Sequence, residues 1–224
     1  MINDIEEKAK SILENLRHDE KLGKYVDPIL PIPQPYRGTG PIKLIVLGQD
    51  PTIKNIAKRA RIKTVLNLDT NGSARGYLAG VCLGLGVDLK QNAYATNLFK
   101  SFFAFPPTGM KEINILKECL DPWLRLLIGE LAPFNSMPVI TLGEPVLKLL
   151  LKEESEHPLR EHWGYIVKWQ SDQLFEELKY VKPEANWLGR VLFPFPHVQT
   201  RQSPFYQVRM NDYVEFVKSS TFSG

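Results

Sequence analysis

Four short apolar runs, each stopped by a turn-forming or polar residue, constrain this chain more than anything else in it. They are Ile42–Leu47 before Gly48 (interrupted only at Lys43), Ala93–Thr96 before Asn97, Pro138–Leu142 before Gly143, and Val191–Phe195 before Pro196 and His197. A continuous apolar run of this length suits a strand covered on both faces, whereas a strand wetted on one face alternates. Helical patterns lie between the runs. That order predicts an α/β fold with three layers, α/β/α, around a mainly parallel, four-stranded central sheet. Thr64–Leu68 reads as a further short extended piece.

The helical patterns are of uneven quality. Ile5, Ala9, Ile12, Leu13 and Leu16 follow helical spacing from Asn3, a capping residue, to Asp19. Residues 27–41 hold Pro28, Pro31, Pro33, Pro35 and Pro41, and read as an extended lead-in without a regular element. Ser73–Leu85 reads as a helix whose Gly76, Gly80 and Gly84 share one side, where they would allow close packing on the sheet. Lys111–Leu131 divides in two at Asp121-Pro122, a cap followed by a first-turn proline. Glu144–Leu151 is a short helix, and Ser203-Pro204 opens the last one. Residues 152–187, rich in acids and in Trp163, Tyr165, Trp169 and Trp187, read as an insertion packed on the sheet edge. Residues 1–224 are expected to form one domain, a usual size for one.

Bulk properties exclude several classes. At 43% hydrophobic and 24% charged, the composition is that of an ordinary soluble globular protein. No apolar run approaches the roughly 18 residues that span a bilayer, so no membrane is expected as a partner. Met1–Arg17 is charged and lacks an apolar signal core, which predicts an intracellular location. Two isolated cysteines, Cys82 and Cys119, make neither a disulfide framework nor a thiolate metal cluster. The net charge of +3 is small, but its placement is uneven. Lys54, Lys58, Arg59, Arg61 and Lys63 stand together without an intervening acid. A nearly neutral chain can thus present a basic face to phosphates.

Ligands of open parallel sheets bind beyond the carboxyl ends of the strands. The chemically richest residues follow the apolar runs there: Gln49 and Asp50, Asn97, Gly143 and Glu144, and His197. Each has a plainer reading alone. Asp50 can be a turn residue before Pro51, Asn97 a strand-end cap, His197 a loop histidine, and Glu144 a first-turn helix acid. Together they offer a carboxylate, a carboxamide and an imidazole to one crevice.

These motifs resemble those of the uracil-DNA glycosylase superfamily. Leu47-Gly48-Gln49-Asp50-Pro51 is similar to its first motif, and Asn97 in Thr96-Asn97-Leu98-Phe99-Lys100 to its base-reading asparagine. Leu142-Gly143-Glu144-Pro145 is similar to its phosphate-contacting loop. Pro196-His197 followed by Ser203-Pro204 is similar to its last motif, in family order across residues 42–210. The resemblance implies a monofunctional DNA glycosylase of base-excision repair that needs neither metal nor organic cofactor and acts as a monomer on damaged or single-stranded DNA. Asp50 would orient water and support the cationic sugar, and His197 would stabilise the departing base anion. Gln49 and Asn97 would bind the base, with Leu66 or Leu68, or a ring such as Tyr77 or Phe99, packing on it where the family has a ring. Lys54, Lys58, Arg59, Lys100, Gly143 and Ser203 would contact DNA. Arg201, or alternatively Phe205, would fill the gap left by the extruded base. Thr52 stands where the uracil-specific branch has a tyrosine, and Val198-Gln199-Thr200 replaces Pro-Ser-Pro, which marks a divergent branch. Two other classes fit the same residues: a catalytically silent nucleic-acid-binding protein of this fold, and a hydrolase of free nucleosides or nucleotides.

Overall fold

The four apolar runs are the parallel strands of one sheet. The computed structural model describes residues 2–110, 112–165 and 176–221. Its strands are β1 (Tyr36–Arg37), β2 (Leu44–Gly48), β3 (Ala93–Asn97), β4 (Val139–Leu142) and β5 (Leu192–Phe195). The helices are α1 (Ile2–His18), α2 (Ile56–Arg59), α3 (Ser73–Gly84), α4 (Leu89–Asn92), α5 (Ile115–Leu131), α6 (Glu144–Leu150), α7 (Pro158–His162) and α8 (Pro204–Thr221). Every residue of β2, β3, β4 and β5 is buried, as continuous apolar runs require.

The sheet has five strands rather than four, in the order β1-β3-β2-β4-β5. The extra strand lies inside the proline-rich lead-in, where Tyr36 and Arg37 pair antiparallel with Ala95 and Tyr94. Two residues are too few to show a period. Pro35 sits just outside the ladder, where its missing N–H costs nothing. The connection from β2 leads to β3 on one side, and the next crosses back over β2 to β4. Right-handed crossovers therefore put α3 and α5 on opposite faces. Consistently, α8 packs on α3, whereas α1 and α6 pack on α5.

Three local expectations are corrected. Thr64–Leu68 is not a strand: only Thr64 bridges Gln34, and Val65–Asn67 form one 3-10 turn. Within it Leu66 and Asn67 have φ of 56° and 54°, a conformation that non-glycine residues rarely hold. The helix expected to divide at Asp121-Pro122 runs unbroken as α5, capped instead by the Asn114 side chain, which accepts from Lys117 N–H. Tertiary burial of Ile115, Cys119, Trp123, Leu126 and Leu127 along one stripe outweighs the proline. Asp121 is not a cap but pairs with Arg125 one turn on. Finally, Gly76 and Gly80 face open space, and a Cβ at Gly84 would meet Val214 of α8 rather than the sheet.

The segment after α6 closes the sheet's far edge. Val181 exchanges two backbone hydrogen bonds with Leu192 of β5, at 2.8 and 3.0 Å. Trp163 is wholly buried against Phe195, Tyr206 and Tyr213, and its indole N–H donates to Pro194 O at 2.7 Å. Burying an aromatic of this size while satisfying its donor secures the edge strand. Trp169, and Lys111 at the expected start of α5, lie outside the described residues. Among the described residues no helix is long and apolar enough to cross a membrane.

Candidate active site at the carboxyl ends of the strands

Because β2, β3, β4 and β5 are parallel, their carboxyl ends share one edge of the sheet. The winding direction reverses between β2 and β4, which makes that gap the switch point where crevices form. Both inner strands end at glycine, Gly48 and Gly143. The strands flanking that pair deliver a larger polar side chain, Asn97 from β3 and His197 just after β5. Gly48 lies opposite Asn97 in register. A Cβ there would collide with Asn97 Oδ1 and stand 3.4 Å from Leu66 Cδ2. Gly143, at φ +92°, lies so close to His197 that a Cβ would come within 3.2 Å of the His197 Cβ. The bare glycines thus leave room for the Asn97 carboxamide beside Gly48 and for the start of the His197 side chain beside Gly143, while the Gln49-Asp50 turn follows β2.

Asn97 is 1% exposed, and its Oδ1 is buried without a hydrogen-bond partner. A buried carbonyl left unpaired costs about 1–3 kcal/mol. Beneath it lies a closed ionic network. Lys100 pairs with Glu130 and donates to Thr96 Oγ1 at 2.5 Å and to Asn97 O at 2.7 Å. Tyr94 and Thr96 hydroxyls donate to Glu130 Oε1 at 2.7 and 2.9 Å. Burial pushes the Lys100 ammonium below its usual range, opposed by the Glu130 charge. The network pins the end of β3 and hence the Asn97 backbone.

Asp50 is partly buried and held by its own turn. Oδ2 accepts from Gln49 Nε2 at 2.5 Å, and Oδ1 from Thr52 N–H at 2.7 Å. Burial raises its pKa above the usual value, and the Thr52 and Gln49 hydrogen bonds act against that rise. A carboxylate has about four acceptor positions, more than Gln49 and Thr52 occupy. Thr52 in turn accepts from Phe103 N–H at 2.8 Å, which fixes the turn to the loop after β3.

Burial lowers the pKa of His197, favouring the neutral imidazole. Its Nδ1 receives Gln199 N–H at 3.3 Å, so the ring proton belongs on Nε2. Its carbonyl takes Thr200 and Arg201 N–H, each at 2.9 Å, folding residues 197–201 into a tight turn.

The remaining expected contacts divide sharply. Lys54 and Lys58 are exposed, as phosphate ligands must be. Arg59 is not: it is 2% exposed and donates to the carbonyls of Ile53, Phe103 and Ala104, so it is a structural nail and not a phosphate contact. Lys100, saturated by its buried network, is likewise corrected. Phe205 is buried beside Tyr165 and Tyr206 and cannot serve as a wedge. Arg201 lies half-buried with its guanidinium 5.0 Å over the Tyr77 ring, whose hydroxyl donates to Pro196 O at 3.0 Å. Leu68 is enclosed in the core, which leaves Leu66 as the member of that pair beside Asn97. Ser203 is half-buried just before α8, and Gly143 is buried at the crevice floor.

The bracing roles of Glu130, Thr52 and Tyr77 lie beyond the sequence expectations. Glu130 had a signal: it falls on the buried stripe of α5, three and four residues after Leu127 and Leu126. An acid in such a stripe calls for a buried partner. Thr52 and Tyr77 had none, since their partners are distant backbone groups. A surface depression of about 470 Å³ is lined by Glu20, Lys24, Glu112 and Glu118 among others, away from Asp50, Asn97 and His197. We place the candidate site at the carboxyl end of the parallel strands, the edge of the sheet from which the segments carrying Asp50, Asn97 and His197 leave. Among the described residues no three His, Cys, Asp or Glu side chains gather as a metal cage. No protein-family model matches the chain, and no curated protein matches it.

Proposed function

We propose that the chain is a DNA glycosylase, similar to uracil-DNA glycosylases, that hydrolyses the N-glycosidic bond of uracil or a related deaminated base. The observation that carries this reading is the buried, unpartnered Oδ1 of Asn97 at the switch-point crevice. A carboxamide presents one acceptor and one donor edge, which matches the N3–H and O4 of uracil and mismatches cytosine. The target nucleotide must leave the duplex to reach it, at a cost of a few kcal/mol.

Water adds to the sugar C1′ as the C–N bond breaks; the bond's electron pair leaves with the base, and the proton that the water loses passes by way of the Asp50 carboxylate to solvent and so to the anionic base. Asp50, whose acceptor positions Gln49 and Thr52 do not exhaust, takes a water hydrogen bond and supports the positive sugar. His197, neutral with its proton on Nε2, donates to the base oxygen as that oxygen gains negative charge. Such preorganised donors are worth about 3–4 kcal/mol each. The test is a panel of single- and double-stranded oligonucleotides, each with one modified base, assayed for alkali-labile abasic sites. Release of uracil, hypoxanthine or xanthine is expected, and the reading fails if all three stay in place in both forms.

One observation favours the silent-binder alternative. The side chain next to Asn97 and Gly48 is Leu66, not an aromatic ring on which a base could stack. Salt-sensitive DNA binding without release of any base would select that alternative.

A further inference from the structure

We infer that Ile53, Ile56 and Phe105 form a stacking platform for unpaired bases of single-stranded DNA, beside the Asp50 turn. This rests on the reading that the turn acts on DNA. All three are exposed, with Ile56 at 67% and Phe105 at 61%, on two segments that the buried Arg59 and Thr52 tie together. The Asn55 side chain caps α2 by accepting from Lys58 N–H. The apolar residues therefore stand on a braced ledge. Water gains nothing from an exposed phenylalanine there, whereas a base face does.

The surrounding charge names the occupant. Lys54, Lys58, Arg61 and Lys63 are exposed, and none of them forms an ion pair among the described residues. Some cations elsewhere are paired among the described residues, as Lys8 is with Asp4 and Arg125 with Asp121, and others such as Lys43, Lys90 and Lys182 are not; what sets this group apart is that its four cations fall within residues 54–63 with no acid among them. Unneutralised cations around an aromatic and two aliphatic side chains suit a polyanion that also carries flat apolar faces. A single strand offers both, and a duplex hides its base faces.

The test is fluorescence anisotropy of a labelled, undamaged thymidine oligonucleotide across a salt series, with the full chain, Phe105→Ala and Lys54→Ala/Lys58→Ala. The same three proteins are titrated against phosphatidylserine vesicles. The substituted side chains are exposed, so the fold is retained; a melting curve checks this. Phe105→Ala is expected to weaken strand binding about tenfold or more with an unchanged salt slope. Lys54→Ala/Lys58→Ala is expected to flatten the slope by about 0.7 for each phosphate no longer neutralised. Binding of the strand by Phe105→Ala within twofold of the parent overturns the platform. So does a weakening confined to the vesicles, which would mark a lipid surface instead. Because the strand carries no damaged base, the platform can stand while base release fails. Base release that persists with no effect of Phe105→Ala on the strand sinks the platform alone.

Discussion

At the scale of single residues the site trades stability for chemistry, and two substitutions expose the trade. Asp50 keeps a carboxylate where burial disfavours its charge. Its folded pKa is raised, so its contribution to stability is present below the ordinary carboxylate value and is lost as pH rises through the folded one. At neutral pH Asp50→Asn removes that penalty. The variant is expected to melt no lower than the parent while base release falls by orders of magnitude. Calorimetry and the abasic-site assay on one preparation decide it, and a large fall in melting temperature would show Asp50 to be a structural turn residue. The same raised pKa moves the acid limb of kcat/KM above the ordinary aspartate range. Gly48→Ala acts on the opposite wall. Its Cβ would overlap Asn97 Oδ1 and backbone cannot yield there, so the carboxamide must turn away. Loss of discrimination between uracil and cytosine, with a stability cost of about 1–3 kcal/mol, is expected. Unaltered base preference would remove Asn97 from the reader's role.

At the scale of elements, β3 is held by ions rather than by packing alone. Lys100→Met leaves Glu130 buried beside two hydroxyls with no cation, which costs about 3–5 kcal/mol. Adding Glu130→Gln to that variant should recover much of the stability, because no uncompensated charge remains. Denaturant unfolding of both variants measures the difference, and equal destabilisation would show that the pair is not coupled. This element also shows what the sequence could and could not disclose. The four parallel strands were legible because burial on both faces writes an unbroken apolar run, and their carboxyl-terminal Gly, Asn and His were legible because the runs stop there. Tyr36–Arg37 was hidden because a two-residue edge strand has no period and follows a proline. Arg59 and Lys100 were misread as surface cations. Local sequence does not distinguish a guanidinium facing solvent from one facing three carbonyls, two of them 44 and 45 residues away. The unbroken α5 was missed because a cap-then-proline signal is local, while the stripe that overrides it is tertiary.

At the scale of the whole molecule, titration of buried imidazoles sets how the fold responds to acid. Two of the four histidines, His162 and His197, have pKa values lowered, in both cases chiefly by burial. His162 also donates from Nδ1 to Pro158 O at 2.7 Å, on the segment that covers β5. A histidine with a depressed folded pKa contributes stability that is present above its unfolded value near 6.5 and is lost as pH falls toward the folded one. Asp50 works in the opposite sense, since protonation relieves its buried charge. The two histidines outnumber it and respond closer to neutrality, so the melting temperature should fall between about pH 7.5 and 5.5. His162→Leu, away from the crevice, should flatten that slope while leaving base release intact. Thermal melts of the parent and His162→Leu across that range test the sign. A parent whose stability is flat, with His162→Leu indistinguishable from it, would mean that neither imidazole is dry enough in solution to resist its proton, and the neutral His197 that the leaving-group step requires would lose its physical basis.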